Sequence, residues 1–345
     1  MAAPRPLRRQ YADAAVPPVR RRELWAWCGF DFANSGYTTV VITAIFSAYF
    51  VATVADGAEW ATFAWTAALS VSYVLVMAMA PLLGLYADAH ARKKRLLALT
   101  TAVCGLGTAA LWTVGPGDIA LALALIIVTN TAFGTGENLI AAFLPELAGE
   151  DGMGRLSGYG WSLGYFGAVL LLAACLWWVQ GAEARGSDTV TAVRDTMLLT
   201  GATVLVAALP TFLLLRERIA AAPRAIAALW AESLQRWRGV LGGASDLPQL
   251  GRFLACIVAY QAGVGTVIAV AAIYAQQALG FTTAESITLI LVVNITAAAG
   301  AMAFGHLQDR IGHRNALALA LVGWLVAIGL LAASEARPVV WIAAN

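Results

Sequence analysis

Long apolar runs separated by short polar clusters make up most of this chain. A helix needs about 20 largely apolar residues to cross the hydrocarbon core of a bilayer. By that measure the runs predict nine spans: 24–53, 61–87, 95–114, 118–146, 155–180, 195–215, 250–277, 283–305 and 315–333. A tenth begins at Pro338 and is cut off at Asn345. The longest internal polar stretch, 216–248, falls after the sixth span. It divides the chain into an N-terminal tail (1–22), a six-helix half (23–215), a linker (216–248) and a partial second half (249–345). In the linker, Ile226, Trp230, Leu234, Trp237 and Leu241 recur at helical spacing, with Arg224, Glu232, Arg236 and Arg238 off that stripe. The spacing predicts an amphipathic helix lying on a membrane face, with a calmodulin-like partner as the alternative.

Composition agrees with a membrane chain. Hydrophobic residues are 60% and charged residues 12%, against about 45–50% and 25% for soluble domains. A water-soluble fold has no room to hide so much apolar surface. The basic residues flank apolar runs and form no basic domain, so the net charge of +2 points to no nucleic acid. Cys28, Cys104, Cys175 and Cys256 each stand alone in an apolar run, without disulfide, redox or metal spacing, and read as helix-packing residues. His90, His306 and His313 fall in the polar gaps. Residues 1–22 hold arginine and proline but no apolar core, so they are no secretory signal. With the N-terminus inside, nineteen basic residues fall on the cytoplasmic side and three, Arg185, Arg194 and Arg337, outside. Arginine and alanine are abundant and lysine occurs only at positions 93 and 94, which suggests a bacterial inner membrane.

A repeat then narrows the architecture. Spans two and three are joined by Gly84-Leu-Tyr-Ala-Asp88-Ala-His-Ala-Arg92-Lys93. Spans eight and nine are joined by Gly305-His-Leu-Gln-Asp309-Arg310-Ile-Gly312-His-Arg314. In each, Gly precedes Asp by four residues and basic residues follow. Repeats of this kind mark transporters. The two segments resemble the G-x-x-x-D-R-x-G-R-[RK] loop of the major facilitator superfamily. The first departs from it, with Ala89 for the Arg and Ala91 for the second Gly. Four further stretches resemble the superfamily's vacuole-effluxer-like branch. They are Asp31-Phe-Ala-Asn34-Ser-Gly-Tyr37, Phe143-Leu-Pro145-Glu146, the span-five run from Ser157 to Gly167, and Gly263-Val-Gly265-Thr266. Ala262 stands where the branch usually has an acid. The resemblance implies an all-α polytopic fold of two pseudo-repeated six-helix halves, the second truncated, with two or three spans beyond Asn345. It also implies alternating access, with the loop Asp capping a helix of the opposite half. Asp309 would cap the start of span five near Gly154–Ser157; Asp88 would cap an eleventh span.

Ionisable side chains inside a bilayer are costly and are functional candidates by default. Asp31 and Glu137 lie at similar depth in spans one and four, counted at about 1.5 Å per residue from Glu23 and Glu146. Asn34, Ser35 and Thr38 share the helical face of Asp31; Asn130 and Gly134 share that of Glu137. With Tyr37 and Asn138 they form the expected solute or proton pathway. Tyr260, Gln261 and Thr266 are the polar candidates in span seven, and Asn294 in span eight. Trp161 and Tyr165 read equally as cavity wall or packing. Gly160, Gly164 and Gly167 form a small-residue packing stripe. Span eight offers an answering stripe in Ala297–Ala301 and Gly305.

The expectation is a secondary transporter of a small solute, with amino-acid efflux and proton coupling as its finer forms. It has no cofactor, sits in lipid as a monomer, and binds no nucleic acid. No nucleophile, metal or Walker motif supports an enzyme or an ATP-driven pump. A non-transporting scaffold or sensor with the same fold is the alternative.

Overall fold

The computed structural model describes residues 18–149, 152–184, 186, 188–218, 221–241, 248–277 and 283–333. Their regular structure is all helical. Lipid offers no partner to a backbone N–H or C=O, so apolar runs of this length close their hydrogen bonds within themselves. Seven helices are long and apolar enough to cross a membrane: Arg21–Val54, Ala61–His90, Lys93–Thr113, Ile119–Ala148, Met153–Ala182, Val190–Leu214 and His313–Ala333. They correspond to spans one to six and nine. Helices Pro248–Gln277 and Thr283–Ile311 occupy spans seven and eight. The tenth span falls outside the described residues.

Several boundaries differ from expectation. Span one is a regular α-helix only over Arg21–Tyr37; Thr38–Ala44 and Phe50–Val54 are wide π-turns flanking a short piece, Phe46–Tyr49. Span four stops at Ala141 and resumes over Leu144–Ala148. Pro145 has no N–H to give, and its ring would strike the carbonyl a turn earlier. Span six starts early, at Thr189, because Asp188 caps it by accepting from the N–H groups of Val190 and Thr191. The Thr191 hydroxyl adds a 2.7 Å bond and, with those N–H groups, holds the Asp188 carboxyl below the usual carboxylate range. Span five runs on to Ala184 and span six begins at Thr189, so both helices extend into the stretch expected as a loop over 181–194. Span eight continues through the repeat to Ile311, so His306 lies within a helix rather than a loop.

Two apolar clusters fill the first half. One gathers Tyr37, Phe46, Phe50, Trp65, Leu111 and Ile126; the other gathers Trp27, Phe30, Leu97, Leu139, Phe143 and Leu215 at the end that carries Lys93. Large apolar side chains such as Phe63, Trp177 and Leu213 are exposed, as lipid-facing residues of a membrane bundle are. Cys256 is exposed too, contrary to the packing role expected of it.

Glycines set the closest crossings. A Cβ on Gly160, Gly164 or Gly167 would run into Asp31, Ser35 or Phe32, so this stripe receives span one. The expectation that span eight answers it is corrected. Span eight crosses a turn or two earlier, at Gly154 and Gly158. A Cβ on Gly158 would stand 2.5 Å from the Ala301 carbonyl, and one on Gly305 equally close to that of Gly154. Small residues allow such backbone contact between membrane helices.

At the Lys93 end the start of the linker is pinned to the first half. Glu217 accepts from the Lys94 N–H at 2.6 Å and Lys94 Nζ donates to the Leu215 carbonyl at 2.8 Å. Arg218 pairs with Glu23 at 2.6 Å, both side chains almost wholly buried. The linker helix, Ile226–Leu241, packs against span two and buries Leu229 and Ser233. Ile226, Trp230 and Leu234 of the predicted stripe remain exposed.

Candidate functional site

Spans one, four and five enclose a cavity of about 280 Å³. Asp31, Asn34, Ser35 and Thr38 line it from span one, Phe133 and Glu137 from span four, and Ser157 and Trp161 from span five. The polar positions of span one lie three, four and seven residues from Asp31, which puts all of them on one helical face. Asn34 reaches across and donates to Glu137 Oε1 at 2.5 Å. Asp31 finds room because Gly160 faces it without a side chain. Trp27 forms another wall, its ring held by a 2.9 Å bond from Nε1 to the Ile140 carbonyl. The two predicted carboxylates thus share one chamber, and Asn34 bonds one of them, Glu137.

Other sequence candidates lie elsewhere. The Tyr37 hydroxyl bonds that of Thr129 at 2.9 Å, and Asn130 Nδ2 donates to Ser72 Oγ at 2.5 Å. Both are buried bridges between spans and leave the chamber. Asn130 shares the face of Glu137 by count, yet it serves the contact with span two. Asn138 lines a second cavity of about 190 Å³ together with Gly84, Asp88 and Lys93. On span seven Tyr260 is half-buried and Gln261 exposed, and neither lines the chamber. The Thr266 side chain lies outside the described residues.

The two repeat segments behave differently. In the first, Lys93 is 7% exposed and pairs with Asp88 at 3.0 Å and Glu146 at 2.9 Å. Arg92 donates to the Tyr86 hydroxyl. In the second, the Asp309 carboxylate accepts from the Gly154 N–H through Oδ1 and the Arg155 N–H through Oδ2, each at 2.9 Å. These are unpaired N–H groups at the positive end of span five, where a carboxylate gains both hydrogen bonds and a dipole attraction. Beside them Tyr159 OH bonds His306 Nε2 at 3.1 Å and stacks on Trp25. A strip of contacts therefore runs from span one through span five to span eight. Arg310, Gly312 and Arg314 lie exposed around the turn that follows.

Sequence reasoning gave no role to Glu146, Glu217, Ser157, Tyr159 or His306. Glu146 carried a signal in the Leu-Pro-Glu run, and Ser157 and Tyr159 one in the span-five run; Glu217 and His306 depend on pairings made in space. Among the described residues no three His, Cys, Asp or Glu side chains gather as a metal site.

Comparison with known proteins agrees with this geometry. Residues 57–333 match the family described as Vacuole effluxer Atg22 like. An uncharacterized MFS-type transporter of Bacillus subtilis, YxiO, is 24% identical over 311 residues, spanning 87% of this chain and 71% of the relative. Among solved structures, the MFS proton:xylose symporter XylE bound to 6-bromo-6-deoxy-D-glucose superposes with a TM-score of 0.67 at 14% identity, over 93% of this chain and 77% of that one. An inward open conformation of XylE from E. coli gives 0.53 at 17% identity with the same coverage. The overall fold is that of the major facilitator superfamily.

Proposed function

The chain belongs to the vacuole effluxer Atg22-like family, and on that premise we propose that it is a secondary transporter carrying a small solute through the chamber at Asp31 and Glu137. One observation carries this reading. The Asp309 carboxylate fastens the second half onto the first helix turn of span five, and Ser157 in that same turn region lines the chamber. A contact that joins the halves at one end, next to a polar chamber, is what alternating access needs. Breaking it lets that end open; remaking it closes the path. The acids give the chamber groups that can exchange a proton, so proton coupling accompanies the proposal. The family resemblance offers amino-acid efflux as one finer form; a bacterial inner membrane with the N-terminus inside is its setting, and a monomer its unit.

Counterflow in proteoliposomes, with amino acids and other metabolites as the panel, tests it. Exchange of at least one solute is expected, with a dependence on pH that Glu137→Gln removes. A well-folded protein that exchanges nothing would favour the scaffold reading.

A further inference from the structure

The chamber is one-sided in charge. Two carboxylates line it, and no basic side chain does. Residues 25–54, 61–89, 96–113, 119–148, 156–182 and 195–215 hold no Lys, Arg or His, and Arg194, near the start of span six, donates to the Trp112 carbonyl. No cationic side chain of the first half lines the chamber beside these acids. Asn34 satisfies one oxygen of Glu137, while the Asp31 carboxylate receives no hydrogen bond from the described residues. A desolvated carboxylate needs a positive or protonated partner.

The walls add a second preference. Trp27 and Trp161 both face the chamber. An indole face attracts a cation, and Trp is the best of the aromatic side chains at this. Nothing in the chamber is built for an anion. Its remaining polar groups are neutral, and Thr38 already gives its hydroxyl proton to the Ser35 carbonyl. The positive end of span five is occupied, since its Gly154 and Arg155 N–H groups hold Asp309. A carboxylate placed here would face Asp31 and Glu137 at close range with no compensating positive charge. The volume, about 280 Å³, is near the small end of ligand pockets, which run from about 300 to 1,000 Å³.

Resting on the proposal that the chamber is the solute site, we infer that its preferred cargo is a small organic amine bearing an ammonium group and no carboxylate. The ammonium sits between Asp31 and Glu137, with its carbon skeleton against Trp27 and Trp161. A zwitterionic amino acid presents the same ammonium but brings a carboxylate the chamber repels.

Matched pairs test this on the wild-type, full-length protein in proteoliposomes. Counterflow is measured with tyramine against tyrosine, agmatine against arginine, N-acetyltyramine as the uncharged control, and glucose. The amines are expected to exchange faster than their parent amino acids by about tenfold or more, because a carboxylate brought beside two others in a desolvated site is strongly disfavoured. N-acetyltyramine and glucose are expected to exchange at background. Asp31→Asn and Glu137→Gln should each reduce tyramine exchange; the tyramine and N-acetyltyramine comparison stands even where a variant fails to fold. If the amino acids or glucose exchange as fast as the amines, the amine preference falls and the transporter reading survives. If no member of the panel exchanges, both fall.

Discussion

Ala91 holds φ 48° and ψ 53°, a left-handed conformation that a residue with a Cβ adopts at a cost. It lies three residues past Asp88, as Gly312 lies three past Asp309, and Gly312 has φ 80°. Both copies of the repeat therefore end their helix with the same backbone turn, but only the second has the residue suited to it. Ala91→Gly is expected to stabilise the protein by about 1 kcal/mol, the strain released less the entropy glycine brings to the unfolded chain. Thermal unfolding in detergent should show a higher midpoint. A lower one would mean that the turn is relaxed in solution. The shared turn was legible in the sequence as a repeat, and so was the substitution within it. The neighbours of single polar residues were not. Asn130 and Glu137 lie two turns apart on one face, yet one bonds span two and the other span one. Which neighbour a side chain meets depends on how two other helices are rotated, and local spacing carries no record of that.

Among the elements, span five has most to do with both halves. Its glycines accept span one along one stripe and span eight along another, and its first N–H groups hold Asp309. Asp309→Asn removes the charge and leaves a single oxygen acceptor, a loss of about 2 kcal/mol for hydrogen bonds to a charged group. The helices should persist, since none of their own bonds is touched. The contact between halves should weaken instead. Disulfide cross-linking of Tyr159→Cys with His306→Cys, adjacent across this contact, should then slow severalfold in the variant. An unchanged rate would remove the clasp role from Asp309. Element ends were harder to read than element existence. Apolar runs report the length of lipid-facing segment, whereas helix ends follow caps and breakers. Asp188 with Thr191 carries span six beyond its apolar run, and Pro145 cuts span four inside its own.

At the scale of the whole molecule, the distribution of basic residues orients the bundle. The end bearing Lys93, Arg218 and Arg310 is expected to face the cytoplasm and the short loop at Asp188 the outside. In a Cys256→Ser background, which removes the exposed thiol and leaves three buried ones, an impermeant maleimide added to intact cells should modify Asp188→Cys and spare Arg92→Cys. The reverse pattern would invert the orientation. The architecture was legible because it repeats and because lipid forces helices; the chamber was legible in its acids, while Trp161 read equally as wall or packing and Trp27 gave no sign, since indoles in membrane helices look alike until their neighbours are known.

The wide turns of span one have a consequence for how that helix can move. Ile45 N–H reaches back five residues to Val40, and Ala55 N–H to Phe50, where a regular helix reaches back four. Each wide turn holds one surplus residue, so the chain beyond it is out of phase by about 100° with the chain before it. The face that presents Asp31 and Asn34 is therefore not continued by the residues that sequence counting would place in line with it. The surplus residue can also migrate. If it passes to the next position, only the residue it crosses turns, by that same angle, while both ends of the helix stay where they are. Around Thr38, which lines the chamber and whose carbonyl already accepts from the Thr43 hydroxyl, the helix can thus change what it shows to the chamber without changing where it stands.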